Sequence, residues 1–197
     1  MTIRLTGFLA LWLVMMAAMM APSVYPTVRL FLVARESRFA FGVRPAPAWT
    51  FVAGYLAAWC LVGLPAYAIL STVPMGMFEP RLKGLALMVA GLYQLTPWKG
   101  SCLSHCRSPL EFLMHTWRDG RLGAMVMGAH HGAYCIGCCW GLMLVLLALG
   151  AMNVRWMIAV AAVVFVEKVL PGGPRIGRAL GVLLVVAGAA VALRFGA

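Results

Sequence analysis

The sequence LGAMVMGAHHGAYCIGCCWGLMLVLLALG, residues 122–150, carries no charged side chain and is long enough to cross a lipid bilayer as one helix. A segment inside lipid has to be helical, because no water is present to satisfy its backbone N–H and C=O groups. The stretch therefore predicts an all-α protein whose central helix lies within a membrane.

Five further apolar runs surround this stretch, at residues 5–28, 49–73, 85–98, 154–166 and 176–195. A polar insert, residues 99–121, separates the third run from the fourth. Of the 197 residues, 63% are hydrophobic and only 11% are charged, so a water-soluble domain would lack a polar coat. We therefore predict an all-α polytopic membrane helical bundle with about six transmembrane helices. It forms one integral membrane domain, residues 1–197.

The charge pattern favours lipid over nucleic acid as a partner. The formal net charge is +11, from 16 Lys and Arg against 5 Asp and Glu. The basic residues lie singly between apolar blocks and form no basic stripe, so no nucleic-acid partner is predicted and the lipid bilayer is expected instead. Eleven of the 16 lie on one side of the predicted bundle, in the loop after the first run, in the insert and around the junction of the fifth and sixth runs. The positive-inside rule assigns that side to the cytoplasm. Thiols in the insert would then stay reduced.

The central run carries a group of metal-ligand side chains. Cys135, Cys138 and Cys139 stand at i, i+3 and i+4, so they share one face of a helix, and His131 joins them from one turn earlier. Buried cysteines are often no more than small hydrophobes, and that is the alternative interpretation here. Three cysteines within five residues, beside a histidine, favour a metal site.

A second group lies in the polar insert. Cys102 and Cys106 are at i and i+4, so a short helical turn would point both thiols the same way, and His105 could join them. Lys99 and Arg107 are placed to offset the charge of thiolates near the membrane. The alternative is a polar loop whose thiols bind nothing.

Methionines on the first apolar run form a third group. They are spaced as i+3 and i+4 pairs, at Met15, Met16, Met19 and Met20. Thioethers suit soft cations such as Cu(I), and Met19 is the candidate ligand. Plain packing explains such residues equally well. Pro22 and Pro26 are expected to kink or end the helix nearby.

Two polar residues complete the candidates. Asn153 and Glu167 fall on nearly the same face of the fifth predicted helix, near its opposite ends. An acidic group at a membrane boundary is a functional candidate, as a hard ligand, a proton carrier or the partner of a buried cation. The plainer interpretation pairs Glu167 with Lys168 or Arg178 at the interface.

Several of these stretches together resemble a bacterial family catalogued as predicted metal-binding integral membrane proteins, a domain of unknown function. They are MMAAMMAP at residues 15–22, YQLTPWKGSCLSHCRSP at 93–109, YCIGCCWGLM at 134–143, MNVRW at 152–156, and Glu167 with Lys168. The resemblance covers most of the chain and implies a multi-pass protein of the bacterial cytoplasmic (inner) membrane that binds a metal, without supplying a reaction. By position, the cysteines of the family correspond to Cys102, Cys106, Cys135, Cys138 and Cys139.

Ligand softness and charge decide which metal is expected. A four-thiolate zinc site would carry net negative charge into a low-dielectric region, whereas Cu(I) is satisfied by two or three soft ligands and accepts thioethers. Copper is therefore the first choice. Zinc is the second, because His131 and His105 allow a mixed Cys and His site. An iron–sulfur cluster fits less well with adjacent cysteines on one helix.

Three functions are compatible with these features. The leading hypothesis is a membrane protein that binds a soft metal through clustered cysteines and serves metal handling or delivery, with another membrane subunit or a metal carrier as a potential partner. The first rival is a membrane thiol–disulfide oxidoreductase coupled to a quinone, in which cysteines of the insert and of the central run exchange disulfides. The second is a structural subunit of a larger complex, which would pack through the pairs Gly128–Gly132, Gly137–Gly141 and Gly177–Gly181.

Overall fold

A computed structural model describes residues 4–39, 46–72, 80–150 and 153–194. A few positions used in the sequence analysis lie outside these ranges: part of the basic loop after the first run (residues 40–45), Val73, Met152 of the MNVRW motif, and Phe195.

The described chain consists of helices and contains no strand, which confirms the all-α prediction. Eight helices follow one another: α1 (Leu5–Phe39), α2 (Ala48–Thr72), α3 (Pro80–Leu95), α4 (Pro97–Arg107), α5 (Pro109–Thr116), α6 (Gly120–Gly150), α7 (Val154–Val169) and α8 (Gly173–Arg194). The polar insert forms α4 and α5, so Cys102 and Cys106 do lie on one short helix.

Four of the described helices are long and apolar enough to cross a membrane. They are α1 over Leu5–Ser37, α2, α6 and α8. Helices α3 and α7 have 16 residues each, which is shorter than the roughly 20 residues that a hydrocarbon core requires. The prediction of about six spans is therefore not confirmed, and the number supported by length and composition is four.

Helix α1 corrects one expectation about its prolines. It does not end near Pro22 or Pro26, because both lie inside a single helix that continues to Phe39. A proline removes one backbone hydrogen bond, and apolar helices accept this loss where neighbouring groups pack along the helix. Burial does continue past the prolines, at Thr27 and Phe31.

The described chain divides into two compact units, and helices α2, α4 and α6 contribute to both. The first unit comprises residues up to Tyr67 together with Cys102–Ile136. One cluster in its core comprises seven buried residues: Phe31, Ala46, Phe51, Phe112, Leu113, Ala124 and Met127. Glycines let α2 and α6 approach closely, since a Cβ on Gly132 would lie 2.8 Å from the Cβ of Ala58. The Gly128–Gly132 pair therefore serves packing inside this unit.

The second unit comprises Ala68–Ser101 and the chain from Gly137 onward. Helix α3 packs against α8 through facing glycines, and a Cβ on Gly91 would lie 2.6 Å from the carbonyl oxygen of Gly181. Helix α7 also packs against α8. The single-domain assignment for residues 1–197 stays a prediction.

Candidate metal centre

Cys135 lies at the centre of the best-defined group of soft ligands in the first unit. Its side chain is only 1% exposed, and its Sγ is 4.0 Å from the Sδ of Met20 on α1 and 3.1 Å from the Oη of Tyr55 on α2. Met20 and Tyr55 are buried as well. Three helices thus bring a thiol, a thioether and a phenol together away from solvent.

Close helix packing explains how these three side chains meet. Gly132 and Gly128 lie about one and two turns before Cys135 on α6, where α2 approaches their Cα atoms. The approach places Tyr55 beside α6, because bulkier residues at those glycines would hold the helices apart. On α1, Met16 and Met20 are one turn apart and both fully buried, so the buried face of that helix is rich in sulfur.

The sulfur–sulfur distance suits a shared metal ion. Two sulfur ligands at about 2.3 Å from one ion are roughly 3.8 to 4.6 Å apart for bond angles from tetrahedral to linear. The 4.0 Å between Cys135 Sγ and Met20 Sδ falls within that interval. The distance between these two atoms is thus compatible with two sulfur ligands of one ion.

His131 occupies an aromatic environment one turn before Cys135. It is 2% exposed, and its ring centroid lies 6.1 Å from those of Phe51 and Tyr55 and 5.1 Å from that of Phe112. It shares a helix face with Cys135, as the spacing predicts. The structure surrounds it with aromatic rings.

The candidates of the insert occupy different environments. Cys106 is buried, Cys102 is half-buried and His105 is exposed on α4. The His105 ring stacks on that of Tyr134, with centroids 4.2 Å apart and planes 7° apart. This stacking fixes the orientation of the imidazole.

Cys138 and Cys139 are buried residues of the second unit. Among the residues that the structure describes, no three or more His, Cys, Asp or Glu side chains are arranged to hold a metal ion. None of the six cysteines, all of which are described, forms a disulfide. A preformed cage of three or more cysteine and histidine ligands is therefore absent from the described residues, and the sulfur pair in the first unit is the candidate site.

The sequence predicted one partner of Cys135 only as a member of a group and did not predict the other. Met20 belonged to the predicted methionine group, in which Met19 was the named candidate. The structure places Met20 beside the Cys135 thiol, and Met19 is buried as well. Tyr55 had no local signal, since it is 80 residues from Cys135. The glycine spacing on α6 indicated only that some helix packs there.

The second unit contains a buried ion pair in which Glu167 is the partner of a buried cation, one of the roles that the sequence suggested for it. Its Oε2 lies 2.5 Å from the Nζ of Lys99, and its Oε1 accepts a hydrogen bond from the Nε2 of Gln94 at 2.9 Å. Lys99 also donates to the Oε1 of Gln94. The Lys99 and Glu167 side chains are 4% and 2% exposed, so each charge is compensated by the other in the interior. The cation that pairs with Glu167 is thus Lys99, which the sequence analysis expected to offset the charge of thiolates.

Asn153, the other polar candidate, has a structural role. Its Oδ1 accepts a hydrogen bond from the backbone N–H of Arg155 at 3.0 Å, which makes it the N-cap of α7.

Comparison with known proteins indicates which metal the family handles. No curated protein and no solved structure matches the chain. The sequence profile of one family, described as PpoB2, copper chaperone, matches residues 9–191. This match spans nearly all of the chain, and with it all four helices that are long enough to cross a membrane and the buried sulfur pair. The chain therefore belongs to the PpoB2 copper-chaperone family.

Proposed function

We propose that this protein is a multi-pass protein of the bacterial inner membrane that binds Cu(I) as cargo between Cys135 and Met20 and passes it on. The observation that carries the proposal is the pair of buried sulfur atoms 4.0 Å apart. Membership in a family described as a copper chaperone supports copper handling.

Charge and softness favour Cu(I) over zinc at this pair. One thiolate and one neutral thioether around Cu(I) give a site without net charge, whereas Zn²⁺ would leave an uncompensated positive charge in the interior. A thioether is also a poor zinc ligand, because zinc prefers thiolate, imidazole and carboxylate. Zinc, the second choice from the sequence, gains no support from the family match.

A membrane location explains the surfaces of the long helices. Large apolar side chains are exposed on them, among them Val14 (66%) on α1, Leu61 (68%) on α2 and Leu183 (63%) on α8. Contact of such side chains with lipid tails costs no free energy, whereas their contact with water is unfavourable. The helix lengths agree with this proposal.

Further ligands are proposed on helical spacing. They are Cys102, Cys106, Cys138, Cys139, His131, His105 and Met19. Two-coordinate Cu(I) leaves room for a third soft ligand, and a chaperone gains from one because it must exchange its cargo with a partner. Another membrane subunit or a metal carrier is the proposed recipient or donor.

The rival functions lose ground for specific reasons. Disulfide exchange requires an accessible thiolate that attacks a disulfide sulfur. Of the five cysteines in the two clusters, only Cys102 is half-buried, and the other four, Cys106, Cys135, Cys138 and Cys139, are buried. A structural subunit was suggested by glycine pairs, and Gly128–Gly132 and Gly177–Gly181 are used in packing within their own units.

The test compares Cu(I) affinity in detergent-purified variants by competition with a chromogenic chelator. Cys135→Ser is expected to abolish tight binding, and Met20→Leu, which conserves volume, to weaken it by about tenfold or more. Cys60→Ser is the matched control, because Cys60 is the cysteine outside both clusters. Wild-type affinity in Cys135→Ser would contradict the proposed site.

A further inference from the structure

A cavity of about 550 Å³ lies on the first unit, where the junction of α5 and α6 packs against the second and third turns of α6. Its volume is within the range of about 300 to 1,000 Å³ that is typical of small-molecule sites. The lining combines the polar side chains of His115, Arg118 and His130 with apolar ones such as Val126. None of the eight described residues in this lining is acidic. The cavity therefore suits an anionic molecule that also has an apolar part.

Backbone contacts hold Arg118 at the cavity. Its backbone N–H donates to the Sδ of Met127 at 3.2 Å, and a Cβ on Gly123 would lie 2.6 Å from its carbonyl oxygen. The Arg118 side chain is exposed. Its guanidinium group thus starts from a fixed backbone and is accessible to a ligand. Guanidinium groups bind phosphate through paired N–H donors, so a phosphate is the anion that this residue fits best.

Trp117 relates the cavity to the ends of two candidate membrane spans. The Trp117 ring packs against that of Phe31 on α1, with centroids 5.7 Å apart, and its Nε1 donates to the Oδ1 of Asp119 at 2.8 Å. The candidate span of α1 ends at Ser37, soon after Phe31, and that of α6 begins at Gly120. A tryptophan with an apolar contact on one side and a polar partner on the other is typical of the membrane–water interface. The cavity therefore lies at the depth expected for lipid headgroups.

Exposed apolar side chains on α6 extend from the cavity. Leu122 and Val126 stand at i and i+4 and are 79% and 47% exposed, and Met125 beside them is 44% exposed. An acyl chain would cover these side chains while its headgroup faced the polar part of the lining. A soluble phosphate compound would leave them uncovered. The combination of charge and apolar surface thus favours a lipid over a soluble anion.

We propose that this cavity binds an anionic phospholipid, with the phosphate against Arg118 and one acyl chain along Leu122 and Val126. His115 and His130 supply N–H donors for the remaining headgroup oxygens. The formal net charge of +11 favours an anionic lipid, and basic pockets between membrane helices bind such headgroups. The site shares the membrane location with the proposed function and does not depend on the sulfur pair.

The test measures lipid selectivity of the full-length protein purified in detergent. Native mass spectrometry compares the affinity for the first bound phosphatidylglycerol with that for phosphatidylcholine of the same acyl chains. Wild type is expected to prefer phosphatidylglycerol by about fivefold, and Arg118→Gln to lose this preference, because one basic group near an anionic headgroup contributes about that factor. Arg121→Gln is the matched control. It removes the same charge from an exposed residue of α6 outside the lining and should keep the preference.

A second variant tests the apolar part of the cavity. Val126→Trp fills the space at an exposed position without changing the charge, so it should also abolish the preference for phosphatidylglycerol. This variant keeps the test decisive if Arg118→Gln does not fold.

Three outcomes would overturn the lipid site: equal binding of both lipids to wild type, an equal loss of preference in Arg121→Gln, or equally tight binding of glycerol 3-phosphate, which lacks acyl chains. Flotation of the protein with phosphatidylcholine vesicles tests the membrane location separately. Protein that does not float contradicts the proposed function as well, whereas floating protein without lipid preference contradicts only this site.

Discussion

At Cys135 the phenol of Tyr55 and the thioether of Met20 act on the same sulfur atom. In the proposed site, Cu(I) would replace the thiol proton, so the sulfur would accept a hydrogen bond that Tyr55 Oη, 3.1 Å away, can donate. A hydrogen bond to a coordinating thiolate orients it and moderates its charge. We therefore propose that Tyr55 supports the site without binding the ion.

We expect Tyr55→Phe to weaken Cu(I) binding by about tenfold while leaving one ion bound per chain, because outer groups of metal sites are worth that much in affinity. The measurement is chelator competition on purified protein. Tyr25→Phe is the matched control, since Tyr25 is 60% exposed on α1. Equal affinities for wild type and Tyr55→Phe would show that the phenol does not support the thiolate.

The sequence indicated the chemistry of this centre better than its geometry. Its soft residue types were readable from spacing, because Cys135 and the methionines of α1 recur at helical intervals. The choice of Met20 over Met19 could not be predicted from spacing, since both lie on the buried side of α1. The rotation of α6 against α1 decides which methionine sulfur contacts Cys135. That rotation depends on contacts between residues 115 positions apart.

Between the helices, the buried ion pair of α4 and α7 affects the free energy of unfolding. Lys99 and Glu167 are almost fully buried, and Gln94 of α3 bonds to both. Gly177 of α8 lies directly against this group, since a Cβ there would be 2.8 Å from Glu167 Oε1. Four helices of the second unit thus surround one pair of charges.

We expect Lys99→Met to destabilise the protein by about 3 to 5 kcal/mol, because it leaves the carboxylate buried without its counter-charge. Adding Glu167→Gln should restore part of that loss, since the second charge is removed while an amide still faces Gln94. Unfolding in detergent, followed by tryptophan fluorescence, measures both. If the two losses simply add, the charges do not depend on each other.

Two glycines of the second unit, Gly91 on α3 and Gly100 on α4, form a matched pair for substitution. A Cβ at Gly91 would lie 2.6 Å from the backbone oxygen of Gly181 and 2.7 Å from the backbone nitrogen of Val185, so Gly91→Ala should force α3 from α8 and cost about 1 to 3 kcal/mol. Gly100 on α4 has nothing within 4 Å of such a Cβ. Gly100→Ala should therefore stabilise its helix by about 0.5 to 1 kcal/mol. The same unfolding assay decides, and a stabilising Gly91→Ala would contradict the close packing.

For the helices, the sequence was least informative about contacts between residues that are far apart in the chain. Glu167 was predicted to be a hard ligand, a proton carrier or the partner of a buried cation, or else to pair with Lys168 or Arg178 at the interface. The structure pairs it with the buried cation Lys99, 68 residues away. Pro22 and Pro26 were predicted to kink or end the helix nearby, and α1 continues through both, because the cost of a proline is local and the packing that offsets it is not. The GxxxG spacing did predict close approach, because backbone proximity requires small residues whatever the partner.

For the whole molecule, composition was sufficient for the fold class but not for the number of spans. An apolar chain with few charges is restricted to helices in lipid, and the regular secondary structure of the described residues is all α-helix. Counting apolar runs predicted about six spans, whereas four described helices are long and apolar enough to cross a membrane, and α3 and α7 have 16 residues each. Hydropathy registers burial in protein and burial in lipid alike, so an apolar run alone does not fix the number of spans.

The central claim is that one Cu(I) ion is held by sulfur at Cys135. X-ray absorption at the copper edge, on purified protein loaded with one equivalent of Cu(I), tests it most directly. We expect a copper environment dominated by sulfur in the wild type and loss of both the sulfur signal and the bound copper in Cys135→Ser. A copper environment of nitrogen and oxygen alone in the wild type, or an unchanged spectrum in Cys135→Ser, would contradict the claim.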